Sequence, residues 1–450
     1  MKKSLLWIVV LVLSISMVAA FSFAGCKAEA AEEEAAVEEA PAEEEVAEEA
    51  AEEAAPAEPV TINFMNFSAN EGGCVAILDL MKSLFEQEHP NVTVNIETVG
   101  WDNYFTQLQT RVGGGEAPDC FEVNFDSFVA YADQDALLPL NDLIAASPID
   151  SNVMAAETLE AFALGGSQYG LPYSYSTVVL VYNKDLFDQA QVAYPTDSWT
   201  WADVDAAATK IKEALGDDYF GIIQPLQCWE FFKLVKQNGG SLLNADNTAF
   251  TVNRPENVAT LQHAVDRMLV TNISPTPTQM GTLDEWGVWK LGKTGMIVTG
   301  IWCFPTFTTE CAFNWDIAVE PGNTTKATHY FANALCVSKD SPNAQVAYDW
   351  IKFLTTSKEM ASARVKAGWE LPTANYEDVL AEYVKTTPPA NKQAVFDSLQ
   401  YVITQPPIVE FNQMADIIGQ ELSAAADGTK TPQQALDDAQ AALEAQITLQ

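Results

Sequence analysis

The chain has 450 residues, 48% of them apolar, and its 62 acidic against 23 basic side chains give a formal net charge of −39 at pH 7. Such an acid excess repels phosphate backbones and anionic lipid head groups, so it argues against nucleic acid and against an electrostatic membrane contact. A neutral solute remains compatible with it. The length suffices for two domains, each with a core of its own.

The first 26 residues have the layout of an export signal. Lys2 and Lys3 precede an apolar run at residues 5–13, and small residues lead to Cys26. The Ala-Gly-Cys ending resembles the bacterial lipobox, in which the cysteine takes a diacylglyceryl group and becomes the new N-terminus. We therefore expect residues 1–25 to be a signal peptide and Cys26 to be lipidated. An uncleaved membrane anchor is the alternative.

The next segment predicts a tether. Residues 27–59 contain fourteen Glu and one Lys among Ala and Pro. Unrelieved repulsion between Glu side chains and the interrupting prolines oppose a stable helix, and little apolar surface is available for a core. We expect residues 26–59 to be a disordered acidic tether, with a partly helical spacer as the alternative. The protein would then be extracytoplasmic, anchored to the cell membrane in the periplasm or on the outer face.

Six cysteines follow Cys26, and an even number outside the cytoplasm permits disulfides. Cys303 and Cys311 flank a short segment and could pair, whereas Cys120 and Cys336 lie in apolar strand-like runs that favour buried thiols. The sequence contains no CxxC pair and no Cys/His cluster, so we expect no metal and no cofactor. The pairing stays open for the six residues Cys74, Cys120, Cys228, Cys303, Cys311 and Cys336.

From residue 60 onward, strands and helices alternate. The apolar patterns predict a strand at 60–67, a helix at 74–88, a strand at 92–99, a helix at 104–112 and a strand at 117–124. This alternation indicates a parallel α/β sheet, whose ligands bind beyond the carboxyl ends of the strands. By topology alone, Asn66, Asn124 and Asp126 therefore become candidate site residues. Turn formation and helix capping are the alternative roles for them.

Several motifs appear in a recognisable order. They are the segments GEAPDCFEVNFDSFVAYADQDALLPLNDLI, GSQYGLPYSYSTVVLVYNKDLFDQA, SWTWADVDAAATKIK, QNGGSLLN, KLGKTGMIVTGIW and SKDSPNAQVAYDWIKFLTTSKEM. Together they resemble the extracellular solute-binding proteins of ABC importers, the carbohydrate-binding family that includes maltose-binding protein. The matches span residues 60–372, and residues 427–445 resemble the family's C-terminal helix.

This resemblance implies a fold. It implies an α/β protein of the periplasmic-binding-protein type, with two lobes, each a mostly parallel sheet flanked by helices, joined at a hinge by several chain crossings. The crossings are expected at residues 171–173, at residues 330–334 and soon after Thr356. The expected first lobe comprises residues 60–172 and 331–356, and the expected second lobe comprises residues 173–330 and 357–450.

The resemblance also implies ligand contacts. Sugars expose apolar C–H faces and hydroxyl groups, so flat aromatic rings beside polar side chains suit them. Trp302 aligns with an aromatic that stacks on sugar in the family, Trp229 with another cleft aromatic, and Asp126 with a cleft carboxylate. Trp369 lies near the third crossing. Core packing is the alternative for the tryptophans.

Further candidates lie at the first crossing and before the first helix. Tyr173, Ser174 and Ser176 belong to the crossing strand, where a side chain can face the cleft or pack in the core. Glu71 could bond a hydroxyl group or stabilise the helix dipole.

Together these observations predict a substrate-binding lipoprotein. We expect a monomer that captures a sugar or oligosaccharide, closes, and docks on ABC permease subunits, with no nucleic acid partner. A polyol or a glycerol-phosphate compound is the alternative solute. A secreted carbohydrate-active enzyme and an adhesive lipoprotein are further alternatives, but the sequence contains no GxSxG, HExxH or phosphate-loop motif, so we expect no enzyme.

Overall fold

The computed structural model describes residues 58–70, 73–403, 408 and 410–449. The predicted signal peptide, Cys26, all but the last two residues of the acidic tether and Glu71 lie outside the described residues. The chain from residue 58 is a mixed α/β structure, which confirms the predicted fold class.

The first lobe begins with three parallel strands that lead into helices. Strand β1 pairs with β2 along its whole length, from Val60 opposite Val92 to Asn66 opposite Thr98, and β3 flanks β1 on its other side. The apolar patterns predicted the five elements up to residue 124, and the structure confirms them. Their bounds are β1 Val60–Asn66, α1 Val75–Glu88, β2 Val92–Thr98, α2 Trp101–Gly114, β3 Cys120–Asn124 and α3 Phe125–Asp133.

Short elements lead from the first lobe to the long strand β6. They are α4 Asn141–Ala146, α5 Ala156–Glu160, β4 Ala163–Leu164, β5 Ser167–Gln168 and β6 Gly170–Asn183.

Two long strands, β6 and β10 (Thr328–Val337), cross between the lobes. The sheet order is β2-β1-β3-β10-β6-β8-β7, where β7 is Phe220–Ile223 and β8 is Thr294–Gly300, and β9 (Trp315–Ala318) pairs with β6 outside this order. Strand β10 runs antiparallel to both β3 and β6, and the second half of β6 pairs with β8 and β9. These two strands therefore belong to both halves of the sheet, and they lie where the first two crossings were expected.

The second lobe surrounds the far ends of these strands. Its elements before β10 are α6 Lys184–Gln189, α7 Trp201–Leu215, β7 Phe220–Ile223, α8 Cys228–Gln237, α9 Pro255–Leu269, α10 Pro277–Met280, α11 Glu285–Lys290, β8 Thr294–Gly300, α12 Phe304–Glu310 and β9 Trp315–Ala318.

After β10 the chain passes through two further helices before it returns to β6. Helix α13 (Ala344–Thr356) is followed at once by Ser357, which caps a new helix by accepting a hydrogen bond from the Met360 amide. The chain joins β6 only afterwards, where Leu371 lies opposite Tyr175. The elements after β10 are α13 Ala344–Thr356, α14 Lys358–Ala367, β11 Leu371–Pro372, α15 Glu377–Tyr383, α16 Gln393–Ser398, β12 Val402–Ile403, α17 Phe411–Ala426 and α18 Pro432–Gln446.

Separate apolar cores support the two lobes. Phe64, Phe85 and Trp350 belong to a core of the first lobe, whereas Trp289 and Phe307 belong to a core of the second. Within the described residues, no helix is both long and apolar enough to cross a membrane.

All six cysteines after Cys26 lie in the part of the chain that the structure describes. Cys120 and Cys336 are buried free thiols, as their apolar surroundings predicted, and burial raises the pKa of Cys336. Cys311 is also a free thiol, so the disulfide with Cys303 that the sequence left open is not formed.

Candidate functional site

Trp302 lies at the carboxyl end of β8, in the 3-10 turn Ile301–Cys303. Strands β7 and β8 run parallel and end at the same edge, where ligands of α/β sheets bind. The half-buried indole lies across Gly300, so closely that a Cβ atom on Gly300 would be 1.9 Å from Cζ3 of the ring. Because the φ angle of Gly300 is −81°, which any residue adopts, it is this close approach that requires glycine.

Phe331 brings two of the predicted tryptophans together. Its ring makes edge contacts with Trp302 and with Trp229, at centroid distances of 5.5 and 6.0 Å. Nε2 of His329 lies 2.7 Å from the carbonyl oxygen of Trp229, and burial lowers the pKa of His329 to about 3, so the imidazole is neutral and donates this bond. The strand before Phe331 and the first turn of α8 are thereby fixed against each other.

A second aromatic pair lies on the crossing strands. Tyr175 of β6 and Tyr330 of β10 stack with centroids 5.8 Å apart and an interplanar angle of 20°. Successive residues of a strand point to opposite faces, so Tyr330 and Phe331 lie on different faces of β10. Tyr175, Tyr330 and Phe331 were not among the predicted ligand contacts, although the expected second crossing included Tyr330 and Phe331.

The polar candidates of the first lobe lie at the carboxyl ends of β1 and β3. Asn66 is fully buried and donates through Nδ2 to Oγ1 of Thr98 at 3.0 Å, which ties the ends of β1 and β2 together. Asn124 caps α3 by accepting from the Ser127 amide at 3.1 Å, and its Nδ2 donates to Oδ2 of Asp126 at 3.2 Å. Asn124 and Asp126 are both half-buried at this edge, so the Asp126 carboxylate lies where a ligand can reach it.

Tyr173 and Trp369 enclose a buried arginine. The Arg364 guanidinium carbon lies 4.0 Å from the centroid of the Tyr173 ring and 3.9 Å from that of Trp369. Nη1 of Arg364 donates to the backbone oxygen of Glu370 at 3.3 Å and lies 3.9 Å from its carboxylate. The predicted site residues Tyr173 and Trp369 are therefore brought together, in a cation–π arrangement at the third crossing.

The same buried cluster joins β6 and β10 to the segment that leads into β11. Ser174 of β6 donates through Oγ to Oε2 of Glu370 at 2.9 Å, and Nδ2 of Asn333 on β10 donates to Oγ of Ser174 at 3.2 Å. Glu122 of β3 is buried nearby, and its pKa is raised to about 7 by desolvation first and by the charge of Glu370 second. Ser176, two residues after Ser174 on β6, is also buried. These groups occupy the junction of the lobes, and none is open to solvent.

A separate polar groove lies on the second lobe, away from the crossings. Its volume is about 610 Å³, and it lies between the end of α8 and the start of α9. The ammonium of Lys236 lies 3.2 Å from Oγ of Ser241 there. No aromatic ring lines this groove, so it lacks a surface on which a sugar could stack. Its lining residues are Lys236, Gly239, Gly240, Ser241, Leu243, Asn244, Ala245, Asn247, Thr251, Arg254 and Glu256.

Comparison with known proteins identifies the kind of molecule. A solved ABC substrate-binding protein of Listeria monocytogenes in complex with cycloalternan is 38% identical, with a TM-score of 0.82, and the match covers 87% of this chain and 100% of that one. A curated binding protein of Brucella abortus is 25% identical over 403 residues, which is 87% of this chain and 94% of the relative. The sn-glycerol-3-phosphate-binding periplasmic protein of Pectobacterium atrosepticum is 23% identical over 387 residues, 79% of this chain and 84% of its own.

The match to a family model covers residues 69–361, most of the part that follows the acidic segment. It confirms the resemblance carried by the ordered motifs, and this family is one of binding proteins rather than enzymes. The chain belongs to the family of bacterial extracellular solute-binding proteins.

Proposed function

We propose that this solute-binding protein captures a neutral oligosaccharide, with cycloalternan as the first candidate, and delivers it to an ABC importer. The observation that carries the proposal is the aromatic group of Trp302, Trp229 and Phe331 at the carboxyl edge of the second lobe. Flat rings there offer apolar surface to the C–H faces of sugar rings. The 38% identical relative whose structure holds cycloalternan supports this solute class.

A glycerol-phosphate compound is the second candidate, supported by the relative that binds sn-glycerol 3-phosphate. The charge distribution favours the sugar over it. Asp126 presents a carboxylate at the edge of the first lobe, and the whole chain carries −39, so a phosphate group would meet repulsion. A neutral ligand with hydroxyl groups would instead find in Asp126 a hydrogen-bond acceptor.

The mechanism we propose is capture followed by hinge closure. The lobes are assigned as residues 60–172 with 331–356 and residues 173–330 with 357–450, and the strand pairing across β6 and β10 supports this division. A ligand held between two lobes is shielded from water when they close and is released when they reopen. ATP hydrolysis is then the task of other importer subunits, on whose permease the closed monomer docks.

Direct ligand contact is assigned to the accessible candidates. Trp302, Trp229 and Asp126 are half-buried, and Trp302 and Asp126 follow the carboxyl ends of β8 and β3. Tyr173 and Trp369 enclose Arg364 and are buried, so contact through them requires the lobes to move. We infer that their main role is to hold the segments that cross between the lobes in fixed positions relative to one another.

Membrane attachment is the remaining part of the proposal. A lipid on Cys26 would hold the protein at the cell membrane, and the acidic tether would keep the lobes away from the lipid surface. The basic residues, the apolar run and the Ala-Gly-Cys ending within residues 1–26 support it, as does the extracellular location of the family.

Thermal unfolding with added ligand tests the proposed function. The protein beginning at Lys27 would be melted with cycloalternan and, separately, with sn-glycerol 3-phosphate. A ligand at 100 times its Kd stabilises the folded state by about 2.7 kcal/mol, so cycloalternan should raise the Tm by several degrees without being consumed. A Tm raised only by glycerol 3-phosphate would reverse the choice of solute, and conversion of the sugar to products would show an enzyme.

The variant Trp302→Ala separates ligand contact from core packing. It should weaken cycloalternan binding by about 2 kcal/mol or more and leave a folded protein, because central aromatic anchors carry much of a binding free energy. Trp199→Ala is the matched control, since Trp199 is a half-buried tryptophan of the same apolar cluster. A large loss of stability with affinity retained would mean that Trp302 belongs to the core.

A further inference from the structure

Trp101 is an exposed tryptophan on the first lobe. It is the first residue of α2, and 54% of its surface is open to solvent. Its ring nevertheless packs against two neighbouring rings, with edge contacts to Phe67 at 5.2 Å and to Phe105 at 5.1 Å. One part of the indole is therefore fixed against the lobe, and the rest faces solvent.

This indole lies at the ligand-binding edge of the first lobe. Residue Trp101 follows the end of β2 by three positions, and the ends of β1 and β2 are joined by hydrogen bonds from Asn66 to Thr98 and from the Val99 amide to the Asn66 carbonyl. Side chains of a helix lean toward its N-terminus, so at the first position of α2 the ring leans over this edge. Asp126 stands at the end of β3, two strands away in the same sheet.

Polar and apolar groups are combined around the ring. The side chain of exposed Asn70 lies against Gly100, where a Cβ atom would be 3.5 Å from Nδ2 of the amide. Phe125, the first residue of α3 at the same edge, is 41% exposed. A fixed aromatic face beside an amide is the combination that a sugar ring requires, with stacking for the C–H face and hydrogen bonds for the hydroxyl groups.

We propose that Trp101 is a second stacking surface, which binds another ring of the same carbohydrate that Trp302 binds. This inference rests on the proposed function and narrows it. With one aromatic surface at the edge of each lobe, a solute with at least two sugar rings can place one ring on each surface. A monosaccharide contacts one surface only, whereas an oligosaccharide links the lobes and favours the closed form.

Affinities of matched variants test this inference. Cycloalternan and glucose would be titrated into the wild type, Trp101→Ala, Trp101→Phe and Leu80→Ala, since Leu80 is a similarly exposed residue, at 52%, in the middle of α1. Trp101→Ala should weaken cycloalternan binding by about tenfold or more, as the loss of an aromatic contact does. Trp101→Phe, which keeps a flat ring, should lose less than Trp101→Ala, and Leu80→Ala should match the wild type.

The outcomes separate a failure of the second stacking surface from a failure of the proposed oligosaccharide binding. Because Trp101 and Leu80 are largely exposed, all variants should stay folded, and loss of the edge contacts with Phe67 and Phe105 should lower the Tm of Trp101→Ala by no more than a few degrees. If Trp302→Ala weakens cycloalternan binding and Trp101→Ala does not, the second surface is refuted and the proposed function stands. Glucose bound as tightly as cycloalternan would also refute it, since one ring would then suffice. A wild-type protein that binds neither sugar overturns both proposals.

Discussion

Replacing Gly300 by alanine should displace the indole of Trp302 without disturbing the backbone. A Cβ atom there would lie 1.9 to 2.2 Å from its three nearest neighbours, and all three are ring atoms of Trp302. The φ angle of −81° suits alanine, so the overlap can be relieved only by moving the ring. Loss of the ring's edge contact with Phe331 should cost about 0.5–1.5 kcal/mol of stability.

The expected effect on binding is as large as that of removing the tryptophan. If Trp302 contributes about 2 kcal/mol as a central aromatic anchor, Gly300→Ala should weaken cycloalternan binding about 30-fold. In the Trp302→Ala background, Gly300→Ala causes no overlap, because the indole ring is no longer present. It should then leave affinity unchanged and stabilise the fold by up to about 1 kcal/mol, because alanine restricts the unfolded chain.

A double-mutant cycle measured by titration calorimetry and thermal melting provides the assay. The wild type, both single variants and the double variant would be compared, and the two losses in affinity should not add. Wild-type affinity in Gly300→Ala, or losses that sum in the double variant, would refute the reasoning that Gly300 exists to seat the indole.

Three further predictions concern the hinge and the anchor. Burial raises the pKa of Glu122 from 4.5 to about 7, so the folded state holds a proton that the unfolded chain releases, and this group's contribution to stability is lost as pH rises from about 4.5 to about 7. The Tm of Glu122→Gln should therefore fall less over that pH range than the Tm of the wild type. An equal fall of Tm with pH in the two proteins would contradict this. Arg364→Ala should cost about 3–5 kcal/mol in urea unfolding by leaving the Glu370 carboxylate uncompensated, and adding Glu370→Gln should restore part of it rather than increase the loss. Cys26→Ser should release the protein from membranes or leave its precursor unprocessed in cell fractionation; normal processing with membrane retention would count against lipidation.

Local patterns predicted much of the fold. The strands and helices between residues 60 and 124 follow from period-2 and period-3.6 apolar spacing, and their stops follow from His89-Pro90 and the glycines after Val112. The helix that begins after Ser357 was not predicted, because the single serine in TTSKEM is a weak signal for a helix cap.

The site was harder to predict because it depends on contacts distant in sequence. Nothing near Arg364 indicates that Tyr173, almost two hundred residues earlier, lies against it. Trp369 stands beside a proline at a crossing, but whether its ring faces the ligand or the arginine is decided by packing. Trp101 shows the opposite case, since its place after Gly100 resembles any helix start, and only its exposure distinguishes it.

Small-angle scattering tests most directly the claim that an oligosaccharide bound between the lobes closes the protein. The protein beginning at Lys27 would be measured alone and with saturating cycloalternan, with saturation established by calorimetry on the same sample. Closure predicts a smaller radius of gyration in the bound state and no change for Trp302→Ala at the same sugar concentration. Identical profiles for free and fully bound wild-type protein would contradict it.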